Sequence, residues 1–237
     1  MEVGIYKDVR PLDKNEDAKL RISELKGFDY AASMHSCAIT VDEFYEAAKS
    51  APIVFADTPN GVTAVSLLGV REGQNVFVSS DGEWTKNEYV PAYIRRYPFI
   101  FFEQDNVFAL GIDHSCTAVN KSKGKAVFDK EGEASEYVNN VLVFMQDYQT
   151  AAQRTDFFVN RLVELDLLEE ANATIRENDV ATGMVTFKRI SEEKLNALGD
   201  DMALALLREG FYRLISAHLL SLTNFSKLFE LGKAEQA

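Results

Sequence analysis

The chain has 237 residues, of which 46 % are apolar and 26 % charged, a composition typical of a globular protein. It contains 25 Lys and Arg against 37 Asp and Glu, so its net charge is −12. Such a charge repels phosphate backbones and anionic lipid surfaces. We therefore predict that the partner is not a nucleic acid.

The N-terminal stretch has neither an apolar core nor a small-residue cleavage site, the two marks of a secretory signal. No run of the sequence approaches the roughly 18 apolar residues of a membrane helix. These features predict no membrane insertion and a cytoplasmic location, with signal-independent export left open. The 2 cysteines do not make a disulfide framework.

In the first half of the chain, strand and turn signals follow a short capped helix. Thr40 and Glu43 form a capping box, and the helix that they begin must end before Pro52. Strands are predicted at 52–56, 62–70, 74–78, 97–102 and 106–112. The predicted turns are Asn60-Gly61, Glu72-Gly73, Asp81-Gly82 and residues 104–106. Short turns between sequential strands favour an antiparallel β-meander.

Beyond Gly124, apolar residues recur at helical spacing. Ser135 is the predicted N-cap of a long helix. The other predicted features are a strand pair at 171–189 around a turn at 177–179, a helix capped by Ser191 and a break at Gly210. The sequence thus predicts an α+β fold, with an antiparallel β-meander in the N-terminal half packed against C-terminal helices. We predict a single domain over 1–237, with a subdomain division near 124–132 as the alternative.

The segment from Glu83 to Phe102, EWTKNEYVPAYIRRYPFIFF, concentrates aromatic and arginine side chains. Tyr and Trp offer rigid amphipathic surface, and Arg offers a planar fork for carboxylates, which is the composition of interface hot spots. We predict that this segment binds a protein or peptide partner. The candidate partner-binding residues are Trp84, Tyr89, Tyr93, Arg95, Arg96, Tyr97 and Phe99.

A structural interpretation of the same segment stands beside this one. The aromatic side chains would belong to the core, and the arginines would pair with the chain's own carboxylates, such as Glu83 or Glu88. If residues 93–97 are extended, Arg95 and Arg96 point to opposite faces and only one of them can serve a given site.

Both cysteines lie in the same tripeptide, His35-Ser36-Cys37 and His114-Ser115-Cys116. On a strand, residues two apart face the same side, so two such pairs would supply two nitrogen and two sulfur ligands for zinc. Zinc motifs usually space their cysteines differently, so the main prediction is no cofactor. Buried free thiols are the ordinary state of such cysteines. The alternatives are zinc at His35, Cys37, His114 and Cys116, a Cys37–Cys116 disulfide if the protein is exported, or a Cys37–His114 nucleophile pair.

Common catalytic motifs are missing from the sequence, including G-x-S-x-G, H-E-x-x-H and the Walker loop. This favours a non-catalytic protein over an enzyme. His218 lies on the apolar face of the last helical stretch, which predicts a core histidine with a backbone partner.

Several strings of the sequence resemble the SapC family of bacterial proteins: SLLGVREGQNVFV, DGEW, YVPAYIRRYPF, VFDKEGEAS, TGMVTFKRISEEKLNAL and GFYRLISAHLLSLTNFSKL. The likeness runs from about Pro11 to Leu228. The family takes its name from surface-layer (S-layer) loci, whose neighbouring genes encode a dedicated exporter.

The resemblance implies an accessory role in S-layer protein production or export. It also implies that the partner is the S-layer protein or its export machinery. The alternative function is an enzyme, or an accessory to one, that acts on a peptide or protein, with zinc at the two His-Ser-Cys pairs.

Overall fold

The computed structural model describes residues 4–104, 107–177 and 180–234. Asp105, Asn106, Asn178 and Asp179, which belong to two of the predicted turns, lie outside the described residues. The helices are α1 (Phe44–Ala47), α2 (Ala92–Arg95), α3 (Glu136–Glu164), α4 (Glu192–Asn196), α5 (Asp200–Arg208), α6 (Phe211–Ser221) and α7 (Phe225–Ala234). Short 3-10 turns occur at Asp29–Ala31, Val41–Glu43 and Leu222–Asn224.

The strands vary from two residues to the ten and eleven residues of the last two. They are β1 (Val9–Pro11), β2 (Arg21–Ile22), β3 (Ser36–Ala38), β4 (Ile53–Thr58), β5 (Gly61–Leu67), β6 (Phe99–Gln104), β7 (Val107–Asp113), β8 (Val119–Asn120), β9 (Lys125–Ala126), β10 (Leu168–Glu177) and β11 (Val180–Ile190). The described pairs are antiparallel, and the predicted α+β class is confirmed.

The strands belong to three sheets, ordered β1-β7-β6, β10-β11-β4-β5-β3 and β8-β2-β9. The predicted hairpins β4–β5 and β6–β7 both form, but they join different sheets. The late hairpin β10–β11 joins the early strand β4, where Lys188 lies opposite Phe55. The organisation as a single domain stays a prediction.

Helix α3 connects two of the core clusters. Its N-terminus is capped as predicted, since Ser135 Oγ accepts a hydrogen bond from Val138 N at 3.3 Å. Near this end, buried Met145 packs in the cluster that contains strands β6 and β7. Towards the other end, Phe158 packs against Phe44 and Phe55 in the cluster between β4 and helices α1 and α6.

His218 in α6 ties this helix to two strands, as predicted for a core histidine. Its Nε2 accepts a hydrogen bond from Ile190 N at 3.1 Å, so Nδ1 carries the proton that is shared with Ile53 O at 2.8 Å. Burial is the main reason that the pKa of His218 is lowered to about 4. The neutral imidazole satisfies one backbone group on each of β11 and β4.

The predicted strand at 74–78 does not form, and this prediction was wrong. The side chain of Asn75 instead bonds one nearby and one distant backbone group. Its Oδ1 accepts from Phe77 N at 3.0 Å, and its Nδ2 donates to Ala31 O at 3.0 Å. Side-chain bonds of this kind compete with a strand ladder. Only Val78 makes an isolated bridge, and its partner is Trp84.

Two turns fifty positions apart in the sequence have the same local structure. They cover residues 78–84 and 128–134, and each is closed by an antiparallel bridge between its first and last residues. In the first turn Ser79 N donates to Glu83 O, and in the second Asp129 N donates to Glu133 O, both at 2.9 Å. The fifth residue is Gly82 or Gly132, with φ of 77° and 82°. The first turn places Trp84, and the second leads into the N-cap of α3.

Within the described ranges, no helix combines the length and the apolar character that crossing a membrane would require.

Candidate functional site

Glu43 positions the predicted binding segment from a distant part of the chain. This buried carboxylate accepts a hydrogen bond from Thr40 N at 3.0 Å, which belongs to the predicted capping box. It also accepts one from Thr40 Oγ1 at 2.8 Å. Its other oxygen, Oε1, accepts from Tyr89 OH at 2.9 Å and from Ala92 N at 2.6 Å. The negative charge thus lies at the N-terminus of α2, where it stabilises the helical turn.

Residues 92–95 are helical, so the condition of an extended segment at 93–97, under which Arg95 and Arg96 would point to opposite faces, is not met. Four helical residues turn neighbouring side chains about 100° apart instead of 180°. The consequence is that Arg95 is exposed, whereas Arg96 is half-buried.

Arg95 lies in a fixed position at the surface. Its Nη2 donates to Tyr89 OH at 3.1 Å, and its Nε donates to Val90 O at 3.0 Å. The guanidinium carbon lies 5.8 Å from the ring centre of Tyr89 and 5.6 Å from that of Phe144, on α3. We call Tyr89, Arg95 and Phe144 the Arg95 surface.

The charge of Arg95 has no carboxylate partner among the described residues. The structural interpretation predicted pairing with Glu83 or Glu88, and the described contacts contradict it. Glu88 pairs with Lys227 of α7 instead, at 2.5 Å. A guanidinium that is held in place without a counter-charge can bind an external carboxylate with little loss of side-chain entropy.

A surface depression with a volume of about 270 Å³ lies beside Tyr89. It is lined by Glu46, Lys49, Ser50, Asn87, Glu88 and Tyr89. Ser50 Oγ accepts from Tyr89 N at 2.8 Å, so one wall of the depression is tied to the Arg95 surface. The lining carries both signs of charge.

Arg96 points inward into a cage of aromatic rings. Its guanidinium carbon lies 4.3 Å from the ring centre of Tyr93, 5.0 Å from Tyr148 and 5.7 Å from Tyr6. Its Nε is buried and makes no hydrogen bond within the described part of the chain. Burial alone would lower the pKa of Arg96, but nearby Tyr6 and Tyr148 raise it overall, so the group stays charged. Arg96 therefore has a structural role in joining α2 to α3.

Three further candidate residues belong mainly to the core. Tyr97 and Phe99 are buried beside β7, and the ring of Tyr97 stacks on Tyr30 with centres 4.3 Å apart. Trp84 packs against Phe77 and Phe28, and its indole Nε1 is buried with no hydrogen-bond partner among the described residues. Of the seven candidates, the structure brings Tyr89 and Arg95 together at the surface, while Tyr93 lines the Arg96 cage. Their role in binding stays a prediction.

Phe144 and Glu43 were not predicted as site residues. Phe144 is one of the apolar residues that recur at helical spacing beyond Gly124, and this spacing gave no sign that its ring would meet Arg95. Glu43 was recognised only as a local cap. The sequence signal that could have drawn attention to Glu43 is the capping box itself. A carboxylate has about four lone-pair sites, so a glutamate in a capping box can also accept hydrogen bonds from another element.

The two His-Ser-Cys pairs do not converge. The described residues contain no group of three or more His, Cys, Asp or Glu side chains arranged to hold a metal ion. His35 precedes β3 and is exposed, whereas Cys37 lies within β3 and is buried, so they do not share a face. The zinc set of His35, Cys37, His114 and Cys116 is therefore not formed.

Both thiols are free and buried, and they belong to different core clusters, so the disulfide alternative is also wrong. Burial raises the pKa of Cys37 and of Cys116. A protonated, enclosed thiol is a poor nucleophile, which speaks against the Cys37–His114 pair.

Comparisons with known proteins agree with the resemblance seen in the sequence. No curated protein and no solved structure matches the chain. The family model described as SapC matches residues 12–228, which include Glu43 and the whole Arg95 surface. The chain belongs to the SapC family.

Proposed function

We propose that this SapC-family protein is a non-catalytic binding protein that engages a protein or peptide partner through the Arg95 surface. The observation that carries the proposal is the exposed guanidinium of Arg95, which is fixed by Tyr89 and Val90 and has no carboxylate partner among the described residues. The partner contributes a carboxylate to Arg95 and an apolar group that rests on Phe144 and Tyr89.

Membership of the SapC family supports a more specific role. We propose that the protein assists S-layer protein production or export, and that the partner is the S-layer protein or a component of its exporter. A cytoplasmic location follows from this role, since the partner must be met before or during export.

The experiment compares partners retained from native lysate by the wild-type protein, Arg95→Ala, Arg95→Lys and the control Arg213→Ala. Arg213 is an exposed arginine on α6, away from the Arg95 surface. Quantitative mass spectrometry should show a partner retained by wild type and by Arg213→Ala but reduced about tenfold or more for Arg95→Ala. Arg95→Lys should keep the charge but lose the planar fork, giving an intermediate result.

The proposal of a binding site at Arg95 fails if folded Arg95→Ala retains every partner that wild type retains. The S-layer role is tested separately by titrating the purified S-layer protein into wild type. No heat of binding at concentrations of about 100 μM would exclude the S-layer protein as the partner, while leaving the binding site open to an exporter component or another protein.

A further inference from the structure

Helix α5 carries apolar side chains on every side, although one of its faces is exposed. Its sequence is DDMALALLR, and Leu206 is its only fully buried leucine in the structure. Leu204 is 43 % exposed and Leu207 is 61 % exposed. Large apolar side chains that adjoin one another on the solvent side of a helix commonly mark an interaction surface. The outward face of α5 therefore lacks contacts that its composition is suited to make.

The charged residues of α5 lie on the same face as these leucines. At about 100° per residue, five side chains fall within one arc of about 120°, opposite Leu206. All five are exposed: Asp200, Asp201, Leu204, Leu207 and Arg208. We call these residues the α5 face. Within the described residues, its charged members form no ion pair.

The α5 face is complementary to itself. Its N-terminal end is acidic, its centre is apolar and its C-terminal end is basic. If a two-fold axis passes near Leu204, the α5 helices of two copies lie antiparallel. Arg208 of each copy then lies opposite Asp200 and Asp201 of the other, so the contact forms twice. The leucines of both copies would then meet at the centre. This is the arrangement of an isologous interface.

The chain also exposes more surface than a compact monomer of its mass. Its accessible surface is 13755 Å², whereas a monomer of 26.6 kDa is expected to expose about 10,700 Å². Part of the excess belongs to the β10–β11 hairpin, which meets β4 only near its base. The total excess, hairpin included, is about 3,000 Å², and a standard interface buries roughly 800 Å² on each partner.

Phe157 of α3 is a further exposed apolar side chain. It is 62 % exposed, and its ring packs against Phe211, the first residue of α6, with centres 5.9 Å apart. We propose that the α5 face pairs with the same face of a second copy of this chain, forming a two-fold symmetric dimer. The proposal does not rest on the Arg95 surface, since α5 contributes no residue to it.

The net charge of −12 repels the two copies, so the dimer is expected to be weak, with a dissociation constant on the order of 10 μM. Sedimentation velocity over a concentration series measures it directly. Wild type should shift from monomer to dimer, and Leu204→Glu should stay monomeric. The control Arg213→Glu should behave as wild type. It makes the net charge more negative by two, as does the variant Arg208→Glu described next.

A charge exchange provides the sharper test. Arg208→Glu makes the α5 face wholly acidic, and Asp200→Arg with Asp201→Arg makes it wholly basic. Each variant alone should be monomeric because like charges meet, whereas an equimolar mixture should form heterodimers at least as tight as the wild-type dimer. Circular dichroism confirms folding. The proposal is overturned if wild type stays monomeric throughout, if Arg208→Glu dimerises as wild type does, or if the mixture of variants does not associate.

Discussion

The carboxylate of Glu43 lies 2.6 Å from the backbone nitrogen of Ala92, although 49 residues separate them in the sequence. The contact joins the capping box before α1 to the first turn of α2. Since Arg95 ends α2, the direction in which its guanidinium points depends on Glu43. A residue outside the aromatic segment thus determines which of its two arginines faces outward.

Glu43→Ala should destabilise the protein by about 3 kcal/mol. The change leaves buried donors at Thr40 and Ala92 without their acceptor, and each such loss costs on the order of 1–3 kcal/mol. Urea unfolding measures the difference. The matched control is Glu46→Ala, which removes an exposed pair with Lys49 and should cost less than about 1 kcal/mol. Equal effects of the two changes would contradict the anchoring role.

His218 should make stability depend on pH. The pKa is about 4 in the folded protein and 6.5 in the unfolded chain, so between these values the unfolded state binds more protons. Stability is therefore fully present above pH 6.5 and falls as the pH drops towards 4, by up to about 3 kcal/mol. The free energy of unfolding, measured at several pH values, gives the slope.

His218→Gln should show a smaller slope over the same pH range, although its stability near pH 7 is lower than that of wild type. The control is His35→Gln, because His35 is exposed and makes no buried contact of this kind. If wild type and His218→Gln lose equal stability on acidification, the carboxylates and not His218 govern the pH dependence.

Cys37 and Cys116 should react slowly with a thiol reagent in the native protein. Both are at most 5 % exposed, and burial raises the pKa of each thiol, so little thiolate forms near pH 8. In denaturant, both thiols should react at once. A coloured disulfide reagent releases one absorbing thiolate for each protein thiol that reacts, so the absorbance gives the number of reacted cysteines. Fast reaction of one native thiol, assigned with Cys37→Ser and Cys116→Ser, would show that its pocket opens.

Trp84→Phe should cost less than about 1 kcal/mol, whereas Trp84→Ala should cost about 3 kcal/mol. Phenylalanine keeps the ring packed on Phe77 and Phe28 and removes a buried indole nitrogen that has no described hydrogen-bond partner. Chemical unfolding compares the variants. A large loss for Trp84→Phe would mean that the indole nitrogen has a partner in solution, such as an ordered water.

The sequence identified the elements that local residues specify. The hairpin at Asn60-Gly61, the cap at Ser135 and the left-handed Gly210 all depend on neighbours within a few positions. The sheet containing β4 could not be predicted in the same way. Its neighbour β11 follows more than a hundred residues later, and no short motif encodes a pairing of that span.

The site was predicted in part. Composition pointed to the segment that holds Tyr89 and Arg95, but four residues of helix between prolines give no periodic signal, and α2 was missed. The choice between Arg95 and Arg96 depended on that geometry. Phe144 joins Arg95 from α3 only through tertiary packing, so its part in the site needed the structure.

The tyrosine rings around Arg96 come from three separate stretches of chain, and Arg96 forms no ion pair with any described residue. Burial raises the pKa of Tyr6 to about 12 and also raises the pKa of Tyr148, so both rings stay neutral far into alkaline solution. A cation held by ring quadrupoles needs no ionised acid beside it. The N-terminal segment, α2 and α3 are thus held together in acidic solution and at high ionic strength, conditions that weaken carboxylate pairs elsewhere on the protein.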